Sequence, residues 1–500
     1  MRKKDRLGSI TIIFITMLFI MIVTSFLSIL GLEGQQTIIT NNNSLETYLI
    51  TTNNIFSKEG VKYFFNDAIN NVLNFKPFIY FVLSLIGLSI ASKSGLLNAF
   101  TNKLKRLKFK YLTMFVMIIS MLSILIGDYS FAFLMPLVAC IYKKIGKNPI
   151  VGLITVFMAL TLGYGVGLFT NYSDYYLGTM SELSARVDVD KNYVFAIFSN
   201  IYIKVFLSII LIMITTYFVE NRIAIKFSNP EVIEDDLNTS KEAMQYTFIT
   251  FLFCLVVLAL MIMPNVPYLG VLLDNNEVRY MAKLFGANSP FGNGLPYIIL
   301  IIVMICSYVY GKVSKNVTSL KDYSDGLCVS FENTGYIFVL MFFASQLIGL
   351  IEWTNVGNVL VTILVDFMSG LQISGILLIL ISFILIVFMT LLVPSSVDKW
   401  VLISPIIIPL FMRSNITPNY TQFLFGVADG VGKSITPLFP YYILLVGLIG
   451  KYRSDKDLQL RDILKLVYPI ALMIGGVLLL LLIGWFLIGL PLGIGTYISL

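Results

Sequence analysis

Two stretches of this 500-residue chain, about 265 residues apart, share one arrangement of apolar segments. Each places a short apolar hairpin, at 113–142 and at 372–412, before a long apolar helix, at 149–178 and at 421–450. Glycine and polar residues interrupt both long helices near the middle. In a bilayer, irregular backbone persists only where protein or a water-filled cavity surrounds it. The paired interruptions therefore predict a substrate site and a secondary transporter.

Composition restricts the fold class. Hydrophobic residues make up 57% of the chain and charged residues 13%, whereas soluble domains carry about 25% charged residues. The apolar segments reach 17 residues and more without strand-like alternation, which predicts an all-α integral membrane protein and excludes a β-barrel. The net charge of +7 is spread over short loops beside the membrane, so it does not indicate nucleic-acid binding.

Cysteine and histidine usage excludes several chemistries. The four cysteines show no spacing typical of a metal site or a disulfide framework, and histidine is absent. We therefore expect no metal, no cofactor and no enzymatic activity. Na⁺ or H⁺ remains as a coupling ion, and any transported proton has to be carried by carboxylates because no imidazole is present.

Charged loops predict the topology. The basic N-terminus, with Arg2, Lys3, Lys4 and Arg6, is expected in the cytoplasm by the positive-inside rule. Two further basic segments, 101–110 and 143–147, flank only about 30 apolar residues, fewer than the roughly 40 that two crossings need. We therefore expect 113–142 to enter and leave from the cytoplasm. If the later apolar spans cross the membrane alternately outward and inward, the second hairpin is expected to enter from the opposite face.

The two halves match as inverted repeats. Asp128 and Ser396, at the hairpin tips, are 268 positions apart, and Gly167 and Gly432 are 265 apart. We predict a single membrane domain over 1–500, with about nine transmembrane helices and two re-entrant hairpins. The first inverted-topology repeat covers 78–218 and the second covers 334–491.

The interruption of the second long helix has a predicted chemistry. Segment 426–433 has three glycines, and each weakens a helix by about 1 kcal/mol relative to alanine. We expect the helix to unwind there. Thr436 as N-cap and Pro437 in the first turn then predict a new half-helix. Its free N–H groups favour a substrate carboxylate.

The first long helix repeats this pattern at 163–174, with three glycines and then Asn171 or Ser173 as a cap before Asp174. Carboxylates inside a membrane are costly and mark substrate, ion or proton paths. We therefore predict ion coupling by Asp128, Asp174 and Asp429.

Each of these residues also has a structural interpretation. Asp128 could cap the hairpin turn, and Asp174 could cap a helix at the outer surface. An i,i+4 pair with Lys433 could simply neutralise Asp429. Trp400 could anchor the membrane interface.

Several motifs in the last third of the chain resemble the AbgT family of p-aminobenzoyl-glutamate transporters. They are VPSSVDKWVLISPIIIPLF at 393–411, ITPNYTQ at 416–422 and ADGVGKSITPLFPYY at 428–442. SKSGLL at 92–97, Gly127 with Asp128, and EWTNVG at 352–357 also match. The resemblance extends from about residue 78 to 450.

The resemblance implies a dimer that moves p-aminobenzoyl-glutamate or related aromatic anions by an ion gradient, with sulfonamide efflux as a further activity. It places functional positions at Asp174, Trp400, Pro418, Asp429 and Pro437. With the hairpin-tip serines and the helix breaks added, the predicted substrate-binding residues are Asn171, Asp174, Ser395, Ser396, Trp400, Pro418, Asp429, Lys433, Thr436 and Pro437.

Three positions depart from the family pattern. Gly426 stands where the family has arginine, and Gly167 and Lys433 stand where it has asparagines. Losing the asparagine carbonyls removes ligands suited to sodium. We expect that sodium does not bind at the second site and that Lys433 replaces the ion or the missing arginine in holding an anionic substrate.

Other functions remain as alternatives. The closest is a transporter of another carboxylate or dicarboxylate with the same fold. An intramembrane aspartyl protease also needs two membrane aspartates, but leucine at 125 breaks its G-x-G-D motif. A passive channel requires a continuous polar helix face, and here the polar residues concentrate at four breaks. The Asn- and Ile-rich composition suggests a low-GC bacterium and hence its cytoplasmic membrane.

Overall fold

The computed structural model describes residues 8–39, 44–167, 172–230, 237–264, 266, 268–286, 288–371, 373–452 and 460–500. Helices dominate this part of the chain. In the N-terminal half they are α1 (Ser9–Ile29), α2 (Lys58–Asn66), α3 (Ala68–Leu73), α4 (Lys76–Lys93), α5 (Leu96–Leu104), α6 (Phe109–Ser123), α7 (Tyr129–Ile145), α8 (Pro149–Val166), α9 (Tyr172–Asp188), α10 (Ile201–Phe218) and α11 (Lys241–Met261).

The C-terminal half continues the all-helical pattern. Its helices are α12 (Tyr280–Phe285), α13 (Pro290–Val313), α14 (Leu320–Gly326), α15 (Gly335–Thr354), α16 (Val356–Gly370), α17 (Gly375–Leu392), α18 (Ser396–Arg413), α19 (Pro418–Ile435), α20 (Pro440–Tyr452) and α21 (Leu460–Ile488).

Eleven helical segments in the described ranges are long and apolar enough to cross a membrane. Two of them, Phe109–Ile126 and Gly375–Leu392, are the first arms of the two expected hairpins. The other nine equal the expected number of transmembrane helices. The all-α membrane fold is therefore confirmed, while the number of true crossings stays a prediction.

Helices α6 and α7 form the first hairpin. Its two ends lie together, because the Lys147 ammonium, just after α7, donates to the Phe109 carbonyl at 3.1 Å. Its tip turns at Gly127, whose φ of +62° suits glycine. Near the tip, the Ile124 side chain packs on Gly163, close to the end of α8. The hairpin therefore reaches as far as the interruption of the first long helix.

Helices α17 and α18 form the second hairpin, which spans the expected range. Its tip lies beside the middle of α19, where Ser396 and Lys399 contact Asp429. Each hairpin tip thus meets one of the two interrupted helices. That each hairpin enters and leaves the bilayer at one face stays a prediction.

The interrupted helices lie at the centre of the protein. All residues of α8 and α19 are buried, so neither helix faces lipid. The first interruption follows Val166, where α8 ends and Gly167 leaves the helix; α9 begins at Tyr172. This agrees with the expected position. Asn171, the proposed cap, lies outside the described residues.

The second interruption differs from the prediction. Helix α19 runs without a break through 426–433, and the chain leaves the helix at 436–439. The expected unwinding at the glycines is therefore wrong. Thr436 ends α19 instead of starting the next helix, and Pro437 lies in the break, because α20 begins at Pro440.

The glycines instead allow helices to touch. A methyl group on Gly165 of α8 would lie 2.1 Å from the carbonyl carbon of Gly426, and one on Gly430 would lie 2.5 Å from the Thr161 carbonyl oxygen. A methyl group on Gly432 would meet the Thr390 side chain at 2.4 Å. Close backbone contact is a typical use of small residues between membrane helices. These packing contacts keep α19 helical, and helix propensity alone does not take them into account.

A small β-hairpin departs from the all-α prediction. Strands β1 (Glu33–Ile39) and β2 (Leu45–Thr51) pair antiparallel, with Glu33 opposite Thr51 and Ile39 opposite Leu45. Strand β1 packs on α16, where Gly34 lies against Thr362.

Candidate functional site

A buried aspartate with two lysines lies where the second hairpin meets α19. The Lys399 ammonium nitrogen is 2.5 Å from Asp429 Oδ1, and the Lys433 ammonium nitrogen is 3.3 Å from Oδ2. All three side chains are almost completely buried. We call Lys399, Asp429 and Lys433 the lysine cluster. With each group at its usual charge, it holds one positive charge in excess.

Hydroxyl groups complete the lysine cluster. The Ser396 hydroxyl donates a short hydrogen bond to Asp429 Oδ2 and accepts one from Lys433 at 2.5 Å. The Thr390 hydroxyl oxygen is 3.0 Å from Asp429 Oδ1 and accepts a hydrogen bond from Lys399 at 2.7 Å. Lys399 also donates to the Val393 carbonyl at 3.0 Å. These contacts fasten the hairpin tip to α19.

The start of α18 adds a positive dipole end beside the lysine cluster. Ser395 is its N-cap, and the Ser395 hydroxyl accepts a hydrogen bond from the Asp398 backbone N–H at 3.4 Å. The Ser395 side chain itself is exposed, whereas Ser396 contacts the cluster directly. A helix N-terminus and an excess ammonium group both favour an anion.

Tyr164, near the end of α8, connects the lysine cluster to the first interruption. The Lys433 ammonium nitrogen lies 3.5 Å from the centre of the Tyr164 ring, which is a cation–π contact. The Tyr164 hydroxyl donates a short hydrogen bond to Ser173, the neighbour of Asp174. The lysine cluster and the start of α9 are thus linked through one aromatic side chain.

Asp174 lies in the first turn of α9 and forms a short buried ion pair with Lys204 of α10. It is therefore not a cap at an exposed helix end. Its backbone carbonyl accepts a hydrogen bond from the Gln422 amide at 3.2 Å. A narrow crevice opens beside this pair. Its lining residues are Gly165, Asp174, Phe195, Ile197, Ser199, Asn200, Lys204, Gln422, Phe423 and Gly426.

Trp400 is fully buried and does not anchor a membrane interface. Its indole N–H lies 2.9 Å from the Leu177 carbonyl oxygen and 3.2 Å from the Ser181 hydroxyl oxygen, both on α9. Its ring packs on Phe425 with ring centres 4.4 Å apart. Trp400 therefore holds α18 against α9 and α19, beside the lysine cluster.

The remaining predicted residues are not members of the lysine cluster. Pro418 is the first residue of α19, and eleven residues of helix place it about 16 Å from Asp429. Thr436 and Pro437 lie in the break after α19. Asp128 stands at the tip of the first hairpin and makes no capping hydrogen bond for α7.

Sequence reasoning missed four partners, namely Lys399, Thr390, Tyr164 and Lys204. Lysine inside an apolar segment is by default a functional candidate, and Lys204 stands alone in the apolar run 201–214. Lys399 stands three residues after Ser396 at the tip of the second hairpin, where a lysine is also common in an exposed turn. No sequence signal distinguishes Thr390 or Tyr164 from the many similar residues of this chain.

Comparison with known proteins agrees with this architecture. A sequence model of the AbgT putative transporter family matches residues 3–500. The p-aminobenzoyl-glutamate transport protein of Escherichia coli (strain K12) is 25% identical over 487 residues, which cover 96% of this chain and 92% of the relative.

Two transporters of known structure share the fold. The YdaH transporter of Alcanivorax borkumensis has a TM-score of 0.50 and 25% identity, covering 98% of this chain and 100% of its own. MtrF of Neisseria gonorrhoeae, described among antimetabolite efflux pumps, has a TM-score of 0.50 and 22% identity, covering 99% and 98%. The predicted family and transporter class are confirmed. Because the family match covers nearly the whole chain, this protein belongs to the AbgT family and is a membrane transporter, not an enzyme.

Proposed function

We propose that this transporter moves a small organic anion of the p-aminobenzoyl-glutamate type across a bacterial cytoplasmic membrane. The observation that supports the proposal most is the excess positive charge of the lysine cluster, buried beside the N-terminus of α18. A buried, unbalanced ammonium group is costly, and a substrate carboxylate offsets that cost. The name of the Escherichia coli relative suggests the substrate.

Within this proposal, the lysine cluster is the substrate site and the second hairpin is a movable element. Lys433 and Ser396 hold the carboxylate, while Lys399 keeps the hairpin tip on Asp429. Trp400 orients α18 from behind. Asp128 and Asp174 belong to the other repeat and contribute to ion coupling.

The coupling ion does not bind at Asp429 in our proposal. Two ammonium nitrogens already lie within 3.3 Å of the Asp429 carboxylate oxygens, and a sodium ion needs those oxygens as ligands. The family pattern has asparagine at 433, where this chain has lysine. We therefore propose that a built-in cation replaces sodium at this position.

We further propose an N-terminus in the cytoplasm and a homodimeric assembly. The orientation is supported by the basic segments at 101–110 and 143–147, which the positive-inside rule places in the cytoplasm. The dimer is supported by the family resemblance alone.

Flux of radiolabelled p-aminobenzoyl-glutamate into proteoliposomes tests the proposal. Wild type should give saturable flux with or without sodium. Asp429→Asn and Lys433→Asn should lower it at least tenfold, because each removes one charge of the site. Lys321→Asn, an exposed lysine on α14, is the matched control and should retain flux. All rates are divided by the amount of folded protein.

Two results would contradict the proposal. Strong sodium dependence would overturn the built-in cation. Failure of p-aminobenzoyl-glutamate to be transported, together with uptake of a radiolabelled simple dicarboxylate such as succinate, would favour a transporter of another carboxylate with the same fold.

A further inference from the structure

Asn200 holds a buried acceptor without a partner. The residue is 6% exposed and lines the crevice beside Asp174. Its amide nitrogen donates to the Asn419 carbonyl at 3.0 Å. Since a carbonyl only accepts, this contact fixes which amide atom is nitrogen. The remaining atom, Asn200 Oδ1, has no hydrogen-bond partner among the residues that the structure describes.

A buried acceptor without a donor costs about 1–3 kcal/mol. Asn200 is held in this state by its contact with Asn419, so a ligand that brings an N–H or O–H group would remove the cost. The crevice therefore favours a donor next to Asn200.

The neighbouring charges indicate what kind of donor. Asp174 and Lys204 neutralise each other in a short ion pair, so the crevice has no unbalanced charge, unlike the lysine cluster. Phe195 and Phe423 line the same crevice and offer aromatic surfaces. The crevice has a volume of about 10 Å³, which is room for an amine group and not for a ring, and an uncharged N–H donor suits it better than a carboxylate or an ammonium group.

The crevice and the lysine cluster share one face of α19. Gln422, Gly426, Asp429 and Lys433 follow at spacings of four, three and four residues, which place them along one helix face. Seven residues from Gly426 to Lys433 rise about 10 Å. An extended p-aminobenzoyl-glutamate separates its amine from its carboxylates by a distance of this order.

The close contact of Gly165 with Gly426 forms part of the crevice wall. Binding of one ligand to both the crevice and the lysine cluster would require α8 and α19 to move apart at this contact.

We propose that Asn200 Oδ1 accepts a hydrogen bond from the aromatic amine of the substrate, so that this crevice is an amine-recognition subsite. This inference rests on the proposed function, which supplies a substrate with an aromatic amine. Asn200 then distinguishes amine-bearing benzoyl-glutamates from those without a donor, while the lysine cluster binds the carboxylates of both.

Uptake of two related substrates, and inhibition of that uptake by each of them, test this subsite. The probes are p-aminobenzoyl-glutamate and benzoyl-glutamate, which differ only in the amine. In wild type, KM should be about fivefold to tenfold lower for the amine-bearing compound. This ratio corresponds to the free energy of one neutral hydrogen bond. In Asn200→Ala, the two KM values should become equal because only the amine-bearing compound loses a contact.

Asn419→Ala is the matched control. It removes a neighbouring asparagine side chain but keeps the backbone carbonyl that orients Asn200, so the KM ratio should stay as in wild type. The ratio is measured within one preparation and does not depend on how much protein folds. If Asn200→Ala cannot be recovered, a p-dimethylamino analogue on wild type should show the same loss as benzoyl-glutamate.

The outcomes separate the two proposals. Absence of transport or inhibition by either compound overturns the proposed function. Transport of both with equal KM in wild type, or an unchanged ratio in Asn200→Ala, overturns the subsite alone.

Discussion

At the scale of single residues, Asp429 is outnumbered by the ammonium groups around it. Sequence reasoning identified Asp429 and its i,i+4 neighbour Lys433, because both lie on one helix. It did not identify Lys399 as a partner, because that contact forms only when the second hairpin packs on α19. Contacts within a helix follow from spacing, whereas contacts between distant elements need the tertiary fold.

The imbalance of charge predicts unequal effects of substitution. Asp429→Asn leaves two buried lysines without an anion, and we expect it to lower the free energy of unfolding by about 3–5 kcal/mol. Lys433→Met leaves Asp429 paired one to one with Lys399, so its effect should be much smaller. Unfolding of both variants in detergent, followed by circular dichroism, measures the difference. Equal losses, or a larger loss in Lys433→Met, would show that the second lysine is the essential partner.

At the scale of helices, glycine has a different role from the one that propensity suggests. The sequence indicated the correct two helices for interruption and placed the first break correctly at Gly167. The second break falls at 436–439, after the glycines, because α19 is packed on all sides and uses Gly426, Gly430 and Gly432 for close contacts. Propensity counts only the cost of glycine in a helix, and packing can override it.

A methyl group at the closest contact should therefore be harmful. We expect Gly165→Ala to lower the free energy of unfolding by about 1–3 kcal/mol, since its new methyl group meets the Gly426 backbone at 2.1 Å. Gly476→Ala on α21 is the control, because its methyl group meets nothing within 4 Å and alanine favours a helix by about 1 kcal/mol. Thermal unfolding of both variants compares them. A neutral Gly165→Ala would mean that the two helices are not in contact in the native protein.

At the scale of the whole molecule, long-range contacts sort the loops into two groups. At one end, the Asn316 amide donates to the Ser94 and Asn238 carbonyls. At the other end, the Thr417 N–H donates to the Ile498 carbonyl. The parity of crossings from the sequence also assigns the members of each pair to one common side, while which side is cytoplasmic stays a prediction. The β-hairpin could not be foreseen, because its strands pair outside the apolar segments that determine topology.

Labelling by a membrane-impermeant maleimide tests the orientation. Cys328 is exposed in a loop expected in the cytoplasm, so the wild type should react in inverted vesicles and not in intact cells. Val278 is 92% exposed in a loop expected outside, and Val278→Cys should react in intact cells. Cys328→Ser removes the background signal. Reaction of Cys328 in intact cells would reverse the assigned topology.

Under the proposed function, the surplus ammonium of the lysine cluster would also make transport sensitive to voltage. With usual side-chain charges, the empty cluster is a monocation, and each bound carboxylate subtracts one charge. Displacing one elementary charge through the full field of a 100 mV membrane changes its energy by about 2.3 kcal/mol. If the lysine cluster is the substrate site proposed above, reorientation of the vacant protein carries one positive charge, and loading with the two carboxylates of p-aminobenzoyl-glutamate reverses the sign of that charge.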